Sequence, residues 1–338
     1  MSGQPLHGLT SPRSHHRGFS MVELMVALAL GLLIVSGLTL LFANSSRAGL
    51  ELDKSVRQIE SGRYAMDVMS DDIRLAGFYY EIPPVTYTYV TVDPCAASVI
   101  TAGWDYATLK VPVALSGASA VQASSLGCLP NAKSGTVALA IHRFDTTPGT
   151  VAGVDSASIY VQTSRCDKDP VASLATVSTS AAAFTLRDQD CTTIQQVRRY
   201  VTRIYYVAAC NECGVDTTPT LKRAEISGSA ITISPLAEGV EEIAFEYGFD
   251  TDNDGEPNIF RLGLSGTAAA ADNDWSNVVA VRPYLLTRTT EASTGFTDPK
   301  TYNLGLSGSR GPYTDNFKRR IYSSTVRLNN VAGPRETS

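Results

Sequence analysis

The sequence predicts an α+β fold in which one long N-terminal helix is followed by a head built mainly of β-strands. Two observations carry this prediction. An apolar run extends from Phe19 to Ala43, and after Gly77 the hydrophobic period changes from that of a helix to that of a strand. The chain has 338 residues, of which 43% are hydrophobic, so it can form a substantial core. Disorder throughout the chain is therefore excluded.

Charge and composition exclude several classes of function. Lys and Arg total 28 against 33 Asp and Glu, and this net charge of -5 argues against nucleic acid as the main partner. The short basic cluster Phe317-Lys318-Arg319-Arg320 is predicted to be a solvated face. Three of the four histidines precede Phe19, which leaves His142 alone in the body, predicted as structural. The sequence shows no phosphate-binding loop or nucleophile elbow, so no enzyme is predicted.

The apolar run FSMVELMVALALGLLIVSGLTLLFA contains a single charge, Glu23. As a helix it is long enough to cross a hydrocarbon core of about 30 Å. Basic residues precede it, which predicts a cytoplasmic N-terminus and a C-terminal bulk outside the cytoplasm. An ordinary signal peptide is the alternative, since Ala43-Asn44-Ser45 offers a small-residue cleavage site. The length of the run and its acid argue against that alternative.

Glu23 is informative because a carboxylate in an apolar helix costs about 2.5–3.5 kcal/mol on insertion scales and needs a partner. The segment around it, Arg17-Gly18-Phe19-Ser20-Met21-Val22-Glu23-Leu24, resembles the cleavage and methylation signature of type IV prepilins. The resemblance consists of a basic leader that ends in Gly, then Phe, then an acid at the fifth position of the mature chain.

The resemblance implies that residues 1–18 are a leader, which a prepilin peptidase removes between Gly18 and Phe19 before the amino group of Phe19 is methylated. Residues 19–43 are then the transmembrane and assembly half of the helix. The resemblance also implies that Glu23 pairs with the N-terminal amine of a neighbouring subunit. Opposite charges attract strongly in a low dielectric, whereas each alone is penalised there.

Helical periodicity continues beyond the apolar run, so one helix is predicted from Phe19 to about Ala76, with residues 44–77 as its amphipathic half. Gly77 is the expected terminator. The predicted buried stripe consists of Leu52, Val56, Ile59, Met66, Met69, Ile73 and Ala76. The other sides of the helix are predicted to carry the charged residues Asp53, Lys54, Arg57, Glu60, Asp67, Asp71 and Asp72.

Residues 78–338 are predicted as a single β-rich head domain. Period-two segments predict strands over 85–92, 136–142, 158–162, 197–207, 230–234, 243–249, 278–287 and 317–328. In the segment 243–249 the aromatic face is predicted to be buried, while the face with Glu242, Ala244 and Glu246 is predicted to be open. Small-residue stretches over 115–125, 178–183 and 266–274 are predicted as exposed loops.

Further stretches resemble the PilW family of type IV pilus minor pilins. They are DDIRLAGFY from Asp71, FEYG from Phe245, VAVR from Val279 and FKRRIYSSTVRLNN from Phe317. The resemblance implies a type IV pilin-like fold and a structural role in pilus assembly, in a priming or tip subcomplex. The J-type pseudopilin of type II secretion is the nearest alternative, because it shares the helix and a β-rich head.

The resemblance also implies partners and a location. Other minor pilins and the major pilin would bind through the N-terminal helix, and a tip adhesin would bind the head. The prepilin peptidase and methyltransferase would process the N-terminus. The chain would span the inner membrane once, with its head in the periplasm, and then enter a pilus at the cell surface that serves adhesion, twitching motility or DNA uptake.

All six cysteines lie on the predicted outer side of the membrane, and an even number in an oxidising compartment indicates three disulfides. Fifteen pairings are open, and nearest-neighbour pairing is the expectation. The candidates are Cys95, Cys128, Cys166, Cys191, Cys210 and Cys213. The segment 210–213 is a C-x-x-C, so thiol redox chemistry and a zinc site are alternatives to a structural staple, which is favoured.

An acidic segment places carboxylates at positions 1, 3 and 5 and glycine at position 6 of a calcium loop. The candidate calcium ligands are Asp250, Asp252, Asp254, Glu256 and Asn258. Position 12 is Arg261 where an EF-hand needs a bidentate Glu, so a solvated acidic turn is favoured over a calcium site. A secreted β-domain that binds calcium after ordinary signal cleavage is the alternative function from another class.

Overall fold

The computed structural model describes residues 18–79, 87–169, 175–264 and 275–336. Its helices are α1 (Met21–Arg74), α2 (Ala120–Ser125) and α3 (Asn329–Ala332). Its strands are β1 (Thr88–Val90), β2 (Lys110–Pro112), β3 (Leu115–Ala118), β4 (Ala138–Phe144), β5 (Ile159–Thr163), β6 (Ala175–Ser178), β7 (Arg198–Ala208), β8 (Thr220–Ser227), β9 (Ala230–Glu238), β10 (Val240–Phe249), β11 (Ile259–Arg261), β12 (Val278–Arg288), β13 (Tyr302–Asn303), β14 (Ser309–Arg310), β15 (Arg319–Ser323) and β16 (Val326–Arg327). The predicted α+β class is confirmed.

The chain forms two compact units, Met1–Asp53 and Lys54–Ser338. The described part of the first unit is the N-terminal part of α1, an unbroken helix whose apolar composition fits a membrane span. The second unit contains the remainder of α1 and all the strands.

Within the second unit, α1 packs through a stripe of small and apolar side chains. Ala65, Met69 and Ile73 have no exposed surface, and complete burial of a side chain such as Ile contributes about 1.5–3 kcal/mol. The predicted stripe is confirmed from Met66 onward, whereas Leu52 and Val56 are exposed. Burial begins at Gln58, whose amide donates to the carbonyls of Thr287 (3.0 Å) and Lys318 (3.1 Å).

Gly62 of α1 lies against the ring of Tyr322 in β15. A Cβ built on it would lie 2.6 Å from Tyr322 Cζ, well inside van der Waals contact. We expect Gly62→Ala to lower the free energy of unfolding by about 1–3 kcal/mol, because the ring must move out of its packed position. Gly49→Ala is the matched control, since that Cβ meets nothing within 4 Å. Urea denaturation of both variants in detergent checks this, and equal midpoints would contradict it.

Gly77 ends the helical region as predicted. Its φ of 71° is left-handed, a conformation that favours glycine, and its N–H donates to the carbonyl of His142 in β4 (2.9 Å). The helix therefore turns directly onto the first sheet.

The first sheet has seven strands and is antiparallel, with the long strand β7 at its centre. One side of β7 pairs with β4, which pairs with β3. On its other side, β7 pairs with β5 through its first residues and with β8 through the later ones. The edge strands are β6, which pairs with β5, and β9, which pairs with β8.

The second sheet has five strands in the order β11, β10, β12, β15, with β16 also paired to β12. All its pairings are antiparallel. The main core contains residues of α1 together with apolar residues of both sheets, among them Leu139, Tyr205, Phe245 and Leu285.

The outer face of β10 is buried, so the prediction of an open face is wrong. Glu246 is 3% exposed, and its carboxylate accepts hydrogen bonds from Arg282 Nη1 (2.8 Å) and the N–H of Leu306 (2.7 Å). Apolar residues of the segment between β12 and β15, among them Tyr302 and Leu304, pack with Ala244 on this face. Alternation in a single strand carries no information about a distant segment that covers it.

Several strand boundaries differ from the predictions. The first predicted strand, 85–92, is longer than the observed strand β1, which covers Thr88–Val90. Residues 85 and 86 lie outside the described residues. The predicted strand 317–328 is interrupted, at Ser324 and Thr325, into β15 and β16. The predicted loop 115–125 is β3 followed by α2, which begins with a capping box at Ser119. The predicted loop 266–274 also lies outside the described residues.

Candidate functional site

The N-terminal residues of the described chain are exposed and helical. Phe19 is 81% exposed, and α1 begins two residues later, with Glu23 exposed in its first turn. A carboxylate there interacts favourably with the partial positive charge of a helix N-terminus. Cleavage after Gly18, methylation of Phe19 and pairing of Glu23 stay predictions, and leader residues 1–17 lie outside the described residues.

The apolar part of α1 presents a continuous hydrophobic surface. Residues 21–42 are all exposed, and Glu23 is the one charged residue among them. Ser36 and Thr39 donate their hydroxyl hydrogens to the carbonyls of Leu32 and Val35 one turn earlier, so these groups are satisfied within the helix. The segment is suited to lipid or to the apolar faces of other helices.

A second feature fixes the C-terminal end of α1 to the head. Asp72 is 4% exposed, and its carboxylate accepts a hydrogen bond from Arg203 Nη1 (2.6 Å) and another from the Tyr205 hydroxyl. Arg143 and Arg223 each approach the same carboxylate to 3.6 Å. The three arginines lie on β4, β7 and β8, so one carboxylate of the helix joins three neighbouring strands.

This network extends along the sheet. Glu225 of β8 pairs with Arg199 (2.5 Å) and Arg203 (2.8 Å), and Asp145 pairs with Arg199 (2.8 Å). These side chains are half-buried, and charges that are withdrawn from water need such partners to offset the cost of desolvation.

The sequence prediction placed Asp72 on the exposed side of the helix, and this is wrong. A usable signal was present, because Asp72 is three residues after Met69 and seven after Ala65, on the buried stripe. Hydrophobicity alone misses a carboxylate that is buried by paired arginines.

The structure pairs the cysteines with their nearest neighbours. The disulfides are Cys95–Cys128, Cys166–Cys191 and Cys210–Cys213. The first two hold loops on the head, while the third closes the C-x-x-C between β7 and β8. Because all six sulfurs are in disulfides, the zinc alternative has no thiolate ligands in this structure.

The acidic segment forms a turn between β10 and β11. Asp250, Asp252 and Asp254 bring carboxylate oxygens within 4.8 Å of one another. Asp250 is buried, and Arg335 Nη1 (3.0 Å) and the N–H of Gly255 (3.0 Å) donate to its Oδ2. Burial opposes ionisation, but these donors hold the pKa of Asp250 below its usual value.

The remaining candidate calcium ligands also have partners or face solvent. Asn258 donates from Nδ2 to Asp252 (3.1 Å), and its Oδ1 accepts from the N–H of Thr251 (2.6 Å). Glu256 is exposed. These bonds link Asp250, Asp252 and Asn258 within the turn, and calcium binding there stays an untested alternative.

The basic cluster 317–320 lies at the start of β15, where Arg320 is exposed as predicted, but the prediction of a solvated face is wrong for Arg319. The side chain of Arg319 is fully buried, and it pairs with Glu241 (2.6 Å) and Asp315 (2.5 Å). Its guanidinium also stacks 3.5 Å from the centre of the Tyr313 ring. Arg319 therefore links β10, through Glu241, to the segment between β12 and β15, through Asp315.

His142 is completely buried in β4, and its Nδ1 lies 3.0 Å from Thr202 Oγ1 and 2.9 Å from the Tyr200 hydroxyl. Burial lowers the pKa of His142 to about 4. Between about pH 6.5 and pH 4 the unfolded chain therefore binds a proton that the folded chain does not. The stability contributed by the neutral ring is complete above about pH 6.5 and is lost as the pH falls through this window.

We expect the free energy of unfolding to fall by up to about 1.4 kcal/mol per pH unit on account of His142 between pH 6.5 and pH 4. Urea denaturation across this range, compared with His142→Gln, measures the contribution. The slopes of the two proteins are expected to differ, because carboxylates titrate in both while the imidazole titrates only in the parent chain. Identical slopes would contradict the assignment.

Two family models match this chain. Residues 204–330 match PilW, described as type IV pilus-assembly protein W, and residues 13–39 match the prokaryotic N-terminal methylation motif. The first match spans β7 to α3, and the second contains Gly18, Phe19 and Glu23. Both matches agree with a PilW-family type IV minor pilin, which confirms the resemblance found in the sequence. The comparisons with curated proteins and with solved structures returned no significant match.

Proposed function

We propose that this chain, a PilW-family pilin by its matches, is a minor pilin that acts in the priming or tip subassembly of a type IV pilus. A pilin-like role in pilus assembly follows from the two matches themselves. The position at the start or tip of the fibre is the proposed part, and it rests on the family resemblance. The matched families are structural, which agrees with a role that involves no catalysis.

The observation that carries this function is the apolar surface of α1. Its large exposed side chains include Met21, Leu24, Met25, Leu28, Leu32, Leu33, Leu40, Leu41 and Phe42. A contiguous apolar surface of this size is not stable in water, so it requires lipid or protein around it. A pilin supplies both in turn, because the same helix is first a membrane anchor and then part of a fibre core.

The N-terminal motif gives the order of events. The chain is inserted into the inner membrane by α1 with its head in the periplasm, and a prepilin peptidase then cuts between Gly18 and Phe19. The new amine of Phe19, once methylated, remains a cation, which a neighbouring subunit's Glu23 can neutralise. This pairing favours one axial position of the incoming helix, since any other leaves both charges unpaired in an apolar surrounding.

The partners follow from the two parts of the chain. Other minor pilins and the major pilin bind through the apolar part of α1. The head, whose loops are held by disulfides, is the part available to a tip adhesin.

Immunogold electron microscopy of sheared pili, with antibodies against the head, tests the proposed position. Label at fibre ends, together with fewer pili in a deletion strain, is the expected result. Label along the whole fibre would contradict a tip position while keeping the pilin role. Normal piliation in the deletion strain, with secretion of exported enzymes lost, would favour the pseudopilin alternative instead.

A further inference from the structure

The C-x-x-C disulfide differs from the other two in access and loop size. Cys210 and Cys213 are 3 residues apart, whereas the other pairs are separated by 25 and 33. Cys213 is exposed, and Val215, two residues later in the same loop, is 81% exposed. Cys95 and Cys191 are half-buried, and Cys128, Cys166 and Cys210 are buried, so Cys213 is the most exposed of the six cysteines. A reductant in solution therefore reaches Cys213 most easily, and a short loop gives the fold the least entropic stabilisation.

The loop that carries the pair is held by hydrogen bonds that do not involve sulfur. The carboxylate of Asp216 accepts from the N–H groups of Asn211 (2.9 Å), Glu212 (2.6 Å) and Thr218 (2.8 Å). The Asn211 side chain donates to Glu238 Oε1 of β9 (2.8 Å). These bonds remain when the disulfide is broken, so the two sulfurs stay close enough to pair again.

A buried ammonium lies beside the sulfur of Cys213. Lys222 is 8% exposed, and its Nζ lies 3.9 Å from Cys213 Sγ and donates to the carbonyl of Asn211 (2.9 Å). Cations next to a cysteine stabilise its thiolate, and a stabilised thiolate makes a disulfide more readily reduced.

We infer that Cys210–Cys213 is a reversible thiol–disulfide exchange site, which a dithiol reduces in the folded chain while Cys95–Cys128 and Cys166–Cys191 stay oxidised. The matching partner is a dithiol protein or small molecule able to reach the loop between β7 and β8. The site lies on the head and does not depend on the proposed position in the pilus.

The exchange balances as two thiolate displacements. A thiolate of the dithiol attacks Cys213 Sγ, the bond between the two cysteines breaks, and Cys210 leaves as a thiolate that takes up a proton. The second thiol of the reductant then attacks the mixed disulfide and releases Cys213 as a thiolate beside Lys222. The chain gains two electrons, and the reductant becomes a disulfide.

The test is equilibration of the full chain in detergent with graded ratios of reduced to oxidised dithiothreitol. Free thiols are trapped by alkylation and located by peptide mass spectrometry, with near-ultraviolet circular dichroism as the measure of folding. Half-reduction of Cys210 and Cys213 is expected at a reductant ratio at least tenfold lower than for the other four cysteines, without loss of the folded signal. Simultaneous reduction of all six, or earlier reduction of either other pair, would overturn the inference.

Lys222→Met tests the contribution of the ammonium. We expect the half-reduction ratio for Cys210–Cys213 to rise about tenfold, which corresponds to one pKa unit of the thiolate. Lys133→Met is the matched control, because Lys133 Nζ donates to a backbone carbonyl, that of Glu241 (2.7 Å), and its loss should leave the ratio unchanged. Lys222→Arg keeps the charge and is expected to stay within threefold of the parent chain. Equal ratios in the parent chain and Lys222→Met would contradict the role of the ammonium.

Discussion

Replacing Asp72 with alanine is expected to lower the free energy of unfolding by about 3–5 kcal/mol. The carboxylate is the shared partner of Arg203, Arg143 and Arg223 at the end of α1. Without it, cationic side chains on three strands lose their nearest counter-charge from the helix, and the hydroxyl of Tyr205 loses its acceptor. The cost comes mainly from these partners, because the arginines would stay at least partly buried with fewer counter-charges: Arg203 would keep Glu225, and Arg143 would keep Asp145 at 3.9 Å.

The neighbouring residue provides a matched control. Asp71 is exposed, and its carboxylate pairs with Arg74 one turn later (2.7 Å), an exposed helix pair of the kind that contributes about 0.3–0.5 kcal/mol. Urea unfolding of Asp72→Ala and Asp71→Ala in detergent can be followed through the fluorescence of Trp104 and Trp275, both buried in the head. Equal midpoints for the two variants would show that the network does not fix the helix end.

Replacing Glu23 with alanine is expected to reduce incorporation of the chain into pili at least tenfold while leaving its amount in the membrane unchanged. Removal of the carboxylate makes insertion easier, since an acid in an apolar helix costs about 2.5–3.5 kcal/mol. Assembly loses the charge that would pair with the amine of Phe19 on a neighbouring subunit. The substitution is therefore expected to favour insertion into the membrane and to disfavour incorporation into the fibre.

Immunoblots of sheared pili and of inner membranes separate these effects. Asp53→Asn is the control, because it changes an acid of the same helix outside the apolar run, and incorporation at the parent level is expected. Incorporation of Glu23→Ala at the parent level would contradict the pairing.

The helix and the fold class could be predicted because both depend on local patterns. A long apolar run followed by a 3.6-residue period produces α1 whatever it packs against, and strands such as β7 and β12 show the β-branched and aromatic composition of buried strands. The three residues Gly18, Phe19 and Glu23 lie in a contiguous motif, so one sequence segment was enough to predict their roles, which stay predictions.

The strand β8 could not be predicted because charged residues interrupt its alternation. Lys222, Arg223 and Glu225 all lie within it, and each has a specific partner in the folded chain. The partners come from α1, from β7 and from the loop before β8. Local polarity therefore predicts a loop, while long-range ion pairs make a strand.

The strand β3 was mistaken for a loop for the opposite reason, since its residues are small. A Cβ on Gly117 would lie 2.8 Å from Tyr247 Cζ and 3.0 Å from Trp275 Cη2, so the aromatic residues of the core require glycine there. A sequence of small residues carries little hydrophobic signal even where the packing around it is dense. Asp72 and Arg319 were mispredicted for another reason, since each is buried against a counter-charge more than 70 residues away in the chain.

Mass spectrometry of the mature N-terminus, from cells that express the organelle, tests the central claim most directly. A chain that begins with N-methylated phenylalanine at Phe19 is the predicted result, because it shows cleavage after Gly18 with the apolar part of α1 retained for assembly. A chain that begins near Ser46, with the apolar segment removed, would contradict the pilin function and indicate a secreted domain.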